Sequence, residues 1–215
     1  MNGSLELYFS PLACSLASRI ALYEAKADAQ FTEVDPTTKK TSDGEDFLSI
    51  YPLGMVPLIR LDDGSILTEN AAILQYIASR YPDAQMAARD DLERAKLQQW
   101  LCFIGTELHK ALFIPLFEKA LNDDAKRHAL EKGKSRLAYL NNYLIGREFL
   151  LDRFTVADAY LYTVLNWSMA TPVDLAPWPA ISAYQARMQT RPSIARAFKE
   201  ELALYKAEQA RHQAA

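Results

Sequence analysis

An α/β domain ordered βαβαββα, followed by an all-α domain, is the fold class that the sequence predicts. Short alternating apolar runs, separated by helically spaced ones, extend to about residue 82, whereas from Asp90 onward every strong pattern has helical period. The early order strand, helix, strand is also the one a right-handed crossover between parallel strands requires.

Leu5 to Phe9 alternates as a half-buried strand; Pro11 breaks it, and Leu16, Ile20 and Tyr23 then recur at helical spacing. Phe31 to Val34 reads as a second strand, parallel to the first. A polar stretch leads to a short amphipathic segment holding Phe47, Leu48 and Tyr51. Val56 to Leu61 and Ile66-Leu67 flank Asp62-Asp63-Gly64, a turn signal that joins antiparallel strands. Ile73, Leu74, Ile77 and Tyr81 mark one more helix, which ends near Pro82 because proline disfavours helical geometry in the residue before it. Residues 1–82 are thus the α/β domain, and 83–89, without periodicity, the linker. Residues 90–215 are the helical domain, with Leu97, Leu101, Ile104 and Leu108, then Leu137, Leu140, Tyr143 and Leu144, at helical spacing. The tail after about Tyr205 turns polar and alanine-rich and is expected to fray.

Composition narrows the function classes. The chain has 215 residues, 50% of them hydrophobic and 24% charged, which is ordinary globular make-up. Its formal net charge is −3 and its longest basic cluster is Lys39-Lys40, so neither nucleic acid nor an anionic membrane is an expected partner. No run approaches the ~18 apolar residues that a membrane helix needs. The start Met1-Asn2-Gly3-Ser4 lacks the basic and apolar regions of a signal peptide, and two cysteines are too few for a disulfide scaffold. A cytoplasmic location with Cys14 as a free thiol is the expectation.

Three places carry candidate chemistry. Cys14 falls between a strand end and the first turn of a helix, where unpaired N–H groups and the helix dipole favour a thiolate. A free cysteine is otherwise commonly buried and inert. No second cysteine lies within four residues, so C-x-x-C dithiol exchange is excluded. In Gly54-Met55-Val56-Pro57-Leu58 a proline opens what should be a central strand. Either the proline is an ordinary trans residue in a loop, or a cis Val56–Pro57 bond turns the Val56 backbone outward beside the cysteine, open to pairing with a peptide. In Leu67-Thr68-Glu69-Asn70 a carboxylate and an amide stand at the mouth of a helix. They serve as caps, or the free N–H groups bind a ligand carboxylate while Glu69 accepts an ammonium.

These places, in this order and spacing, resemble the N-terminal domain of the cytosolic glutathione S-transferases, which is thioredoxin-like. The likeness is greatest to the bacterial beta class, through Tyr8-Phe9-Ser10-Pro11-Leu12-Ala13-Cys14-Ser15-Leu16, Thr38-Lys39-Lys40-Thr41, Gly54-x-Val56-Pro57 and Leu67-Thr68-Glu69. It continues through Trp100 to Lys110 and Phe154-Thr155-Val156-Ala157-Asp158-Ala159-Tyr160. The resemblance implies glutathione as co-substrate, with Cys14 beside its sulfur, Lys39 near its glycyl end, Val56 and Pro57 along its cysteinyl backbone, and Glu69 and Asn70 at its γ-glutamyl end. It further implies roles for Cys102 and Lys110 in glutathione binding and for His109 in catalysis. Cys102 and His109 are seven residues apart, which on a regular helix puts them on one face. No metal is expected, since that pair lacks further ligands nearby. Thr155 and Asp158 read as a capping box with a structural task.

The chain departs from the class pattern at Cys102, Asn70 and Ala17-Ser18-Arg19. The implied reaction is attack of the glutathione thiolate on a small hydrophobic electrophile in an apolar pocket between the domains, walled by Tyr8, Phe113, Tyr162 and Trp167. The same parts allow a mixed disulfide at Cys14, which would make the protein a glutathione-dependent disulfide reductase. A non-enzymatic interaction module is the remaining reading. The family implies a homodimer.

Overall fold

A computed structural model describes residues 4–214, and its first strand, β1, spans Leu5–Phe9 as the alternation predicts. β1 pairs in parallel with β2 (Ala29–Glu33) and antiparallel with β3 (Leu58–Arg60), which in turn pairs antiparallel with β4 (Ile66–Thr68). The strand order β2-β1-β3-β4 makes β1 central. Helix α1 (Leu16–Glu24) supplies the crossover, α2 (Phe47–Ile50) precedes the hairpin and α3 (Asn70–Arg80) follows it. The order βαβαββα is therefore as expected. One face of the sheet closes over Tyr8, Val34, Phe47 and Leu58.

The chain divides into two units: the described residues up to Ala84 together with those from Pro192 onward, and Gln85–Arg191. This differs from the expected boundary, because the last helix, labelled α9 below, spans Pro192–Ala214 and packs on α1 of the first unit. Its side chains explain the attachment. Ser193 donates to Glu24 at 2.5 Å, Tyr23 donates to Glu200, and Arg211 pairs with Glu33 at 2.7 Å. The stretch after Tyr205, expected to fray, continues this helix.

In the second unit, α4 (Asp91–Phe103) runs into a π-helical segment, Ile104–Phe113, and ends as α5 (Ile114–Phe117). By length and composition this run, Asp91–Phe117, is apolar enough to cross a membrane, contrary to the sequence expectation. It is amphipathic, however: Leu97, Trp100, Leu101, Ile104 and Leu108 are buried while Gln98, Cys102, Thr106 and Lys110 are exposed. Its apolar face packs against α6 (Asp123–Leu144) and α7 (Val156–Asn166), and α8 (Pro179–Gln189) covers α6 and α7. Gly133 on α6 lets the Leu112 side chain approach closely, and a Cβ there would force that side chain to shift. The expected linker is also tied down, with Arg153 donating to the carbonyls of Gln85 and Ala87 and pairing with Glu93.

Every residue of α7 is buried, so its first turn needs internal partners. Asp158 supplies them as the capping box predicts: its carboxylate accepts the Thr155 N–H at 2.9 Å, the Leu150 N–H at 2.9 Å and the Tyr184 hydroxyl at 3.0 Å. Replacing Asp158 by alanine would leave those donors unpaired in the interior. A loss on the order of 3 kcal/mol in unfolding free energy is expected. Urea denaturation followed by circular dichroism measures it, and a loss below ~1 kcal/mol would contradict this account.

Candidate active site

Cys14 stands one residue before Ser15, the N-cap of α1, in a loop shaped by short polar bonds. Ser10 Oγ donates to the Val34 carbonyl at 2.6 Å, and Ser15 Oγ donates to the Ser10 carbonyl at 3.2 Å. Between them Leu12 adopts φ +59°, a left-handed conformation that costs energy for a side chain of its size. Its N–H donates to Glu201 Oε2 on α9 at 2.7 Å.

Glu201 is fully buried, and burial pushes its carboxyl up to about 8 against the opposing pull of Arg19 and the Leu12 N–H. Arg19 Nε lies 3.5 Å from Glu201 Oε1, too far for a well-formed hydrogen bond. The Arg19 guanidinium is instead stacked over Phe9 at 4.2 Å and Phe31 at 4.4 Å. Arg19, one of the departures from the class pattern, thus packs α1 against β1 and β2, with its charge facing the acids of α9.

Cys14 is half-buried, and its Sγ donates to the Val56 carbonyl at 3.3 Å. The Val56–Pro57 bond is cis, the alternative that the sequence left open. The Val56 N–H makes no hydrogen bond among the described residues. Two residues earlier, Gly54 has φ +58°, and a Cβ there would meet Leu48 at 2.8 Å and Lys39 at 3.3 Å. Lys39, itself at φ +57°, donates from Nζ to the Gly54 carbonyl at 3.0 Å. Cys14, Val56 and Lys39 therefore meet along one turn.

At the mouth of α3, Glu69 has φ +67°, is exposed, and makes no side-chain cap. Simple capping by Glu69 is thereby corrected. Asn70 is only 7% exposed; its Oδ1 accepts from Ser18 Oγ at 3.0 Å, which ties α3 to α1, while its Nδ2 is buried without a hydrogen-bond partner.

In the second unit, His109 is buried, with Nδ1 2.7 Å from the Tyr160 hydroxyl and its ring edge-on to Trp167 at 4.8 Å. Burial, with a lesser contribution from Lys110, lowers its pKa to about 4, so the imidazole is neutral at physiological pH. Cys102 and Lys110 are exposed. The expected shared face of Cys102 and His109 is corrected, because the chain between them is π-helical and a spacing of seven no longer makes two turns. Neither cysteine is in a disulfide.

The four expected pocket residues are likewise corrected. Tyr8 (1% exposed) stacks on Phe47 and donates to Glu6 at 3.0 Å, and Phe113 and Tyr162 are equally enclosed. Trp167 keeps 8% exposure under His109, Phe113 and Phe117. Their aromatic character predicted a wall; their positions on inward faces make them core.

Residues 4–79 match the family model described as "Glutathione S-transferase, N-terminal domain", and residues 106–192 match "Glutathione S-transferase, C-terminal domain". The chain belongs to the glutathione S-transferase family. Glutathione S-transferase GstA of Escherichia coli O157:H7 is 39% identical over 199 residues, which are 92% of this chain and 98% of that one. Among solved structures, a bacterial beta class glutathione S-transferase of Sphingomonas chungbukensis shares 44% identity at a TM-score of 0.87, covering 91% of this chain and 98% of its own. A sphingomonad glutathione S-transferase complexed with glutathione shares 45% identity at the same TM-score, again over 91% and 98%. The thioredoxin-like domain with its mixed four-stranded sheet, and the helical domain, are those of this family, and the chain is a glutathione transferase.

Leu12 and Glu201 are the residues of this transferase site that sequence reasoning missed. The signal was present: Glu201 continues the buried stripe of Ile194 and Ala197 on α9. In the unfolded chain Glu201 titrates near the ordinary glutamate value, whereas folded it holds its proton up to about pH 8. Its contribution to stability is therefore complete below the unfolded pKa and lost as pH rises toward 8. Glu201→Gln keeps an acceptor for Leu12 and should flatten the stability profile over that window relative to the parent. Glu201→Leu should cost about 1–3 kcal/mol by orphaning the Leu12 N–H. Denaturant melts at several pH values test both, and parallel profiles for parent and Glu201→Gln would refute the assignment.

Proposed function

We propose that this transferase binds glutathione along the Cys14–Val56 edge and conjugates its thiolate to small hydrophobic electrophiles. The observation that carries the reading is a thiol 3.3 Å from the Val56 carbonyl, beside a Val56 N–H that has no partner among the described residues. A cysteinyl residue laid along that backbone as a short added strand brings its own sulfur next to Cys14. The γ-glutamyl carboxylate then meets the free N–H groups at the start of α3, and its ammonium meets the exposed Glu69 carboxylate. Lys39 supplies a cation for the glycyl carboxylate, exchanging its bond to the Gly54 carbonyl for a charged partner.

The chemistry is nucleophilic. The glutathione thiol gives its proton to solvent, and the thiolate forms a carbon–sulfur bond as the electrophile releases its leaving group or takes up the electron pair. Cys14 acts as a hydrogen-bond donor that keeps the glutathione sulfur anionic. By this proposal the protein works in the cytoplasm as a homodimer, as the family resemblance implies. The competing assignment makes Cys14 itself the nucleophile, forming a mixed disulfide.

Calorimetric titration with glutathione and with S-methylglutathione, which cannot form a disulfide, separates these. Binding of both with similar affinity is expected, as is retention by Cys14→Ala of at least about a tenth of the parent kcat/KM for a chloronitrobenzene electrophile, a barrier change under ~1.4 kcal/mol. Complete loss of conjugation in Cys14→Ala, with binding of glutathione intact, would transfer the reading to disulfide chemistry. Failure of both ligands to bind would remove the site altogether.

A further inference from the structure

A second polar cluster lies away from the Cys14 turn, where the end of α9 meets the loop after β2. Glu208 and His212 are four residues apart on α9 and so share a helix face, and Asp35 stands opposite. One donor atom from each lies within 4.8 Å of the other two. Asp35 is already oriented: Oδ1 accepts the Thr37 and Thr38 N–H groups, each at 2.8 Å, which leaves Oδ2 facing His212 Nε2 at 2.8 Å.

Glu208 is the group that lacks an explanation. The residue is 3% exposed and its side chain makes no hydrogen bond or ion pair among the described residues, and its carboxylate oxygens lie at the rim, where solvent or an ion can reach them. Its polar neighbours are a second carboxylate, on Asp35, and the His212 imidazole, so two acids share one small space that a cation would neutralise. Arg211, a cation on the same turn of α9, is engaged by Glu33 at 2.7 Å.

We propose that Asp35, Glu208 and His212 bind a divalent transition-metal ion of the zinc type, which clips the end of α9 to the loop after β2. One imidazole and two carboxylates are ligands that such an ion accepts at about 2.0–2.2 Å, with water in the remaining position. The Asp35–His212 pair, 2.8 Å apart as a hydrogen bond, opens by about 0.5 Å to become adjacent tetrahedral ligands, and Glu208 closes the set by a change of rotamer. The two backbone N–H groups on Asp35 Oδ1 act as outer-shell donors that fix the ligand's direction. The clip also braces the candidate glutathione loop, because the Lys39 N–H donates to the Asp35 carbonyl at 3.0 Å. This departs from the sequence expectation of no metal, which weighed only Cys102 and His109.

The test is calorimetric titration of zinc chloride into the full-length chain carrying Cys14→Ser and Cys102→Ser, so that neither thiol competes. One ion per chain is expected, with at least ~10-fold weaker binding in Glu208→Gln and in His212→Gln added to that background. His212 is exposed, so its replacement leaves the fold intact. Zinc should also raise the melting temperature of the parent and leave that of Glu208→Gln unchanged. Absence of zinc binding to the parent, or equal affinity in parent and both variants, overturns the proposal.

Discussion

The Leu12 N–H reaches from a strained turn to the Glu201 carboxyl on a helix nearly two hundred residues away in sequence, and the placement of the Cys14 thiol depends on it. A leucine at φ +59° persists only where its surroundings over-determine it. The hydrogen bond to Glu201 and the Ser10–Ser15 exchange together supply that constraint. Cys14 is thereby set at the entrance of α1 with its sulfur on the Val56 carbonyl. The last helix is thus a working part of the thioredoxin-like unit, although it comes after the whole helical domain in sequence.

Most of the fold was legible because period-two and helical spacings are local properties. β1 was read to its ends, and the hairpin turn at Asp62-Asp63-Gly64 gave the antiparallel pair. Affiliation was not legible in the same way. The pattern of α9 says only that one face is buried, and the choice of α1 as its partner is made by Tyr23, Glu24 and Arg19, which pair with residues of α9 at long range. The π segment escaped for a related reason: Ile104–Phe113 carries no local signal of wider winding, yet that winding turns His109 inward while Cys102 stays exposed.

At the site, backbone-dictated features were easier to anticipate than side-chain directions. The Gly54 and Pro57 positions announced an unusual turn, and it is there. Tyr8 was misassigned because alternation along β1 defines two faces without saying which one α2 covers, and Phe47 covers the one that Tyr8 occupies. Asn70 shows the same dependence: a polar side chain at a helix start reads as wholly available, whereas Ser18 on another element takes up its Oδ1 and leaves only its Nδ2 without a partner. In both cases the deciding neighbour lies on another element.

The two buried acids of α9 show how the same residue type on the same stripe meets different physical demands. Glu201 is enclosed but answers a strained backbone N–H; Arg19 nearby and that N–H offset part of its burial, which still raises its carboxyl to about 8. Glu208, two helical turns further along, has no such donor among the described residues. The helix does not need Glu208 for its attachment, since Ser193, Glu200 and Arg211 fasten it along its length. A carboxylate that serves no attachment and reaches the rim beside Asp35 and His212 is better understood through what it could ligate than through what it packs against, since both neighbours are ligating groups.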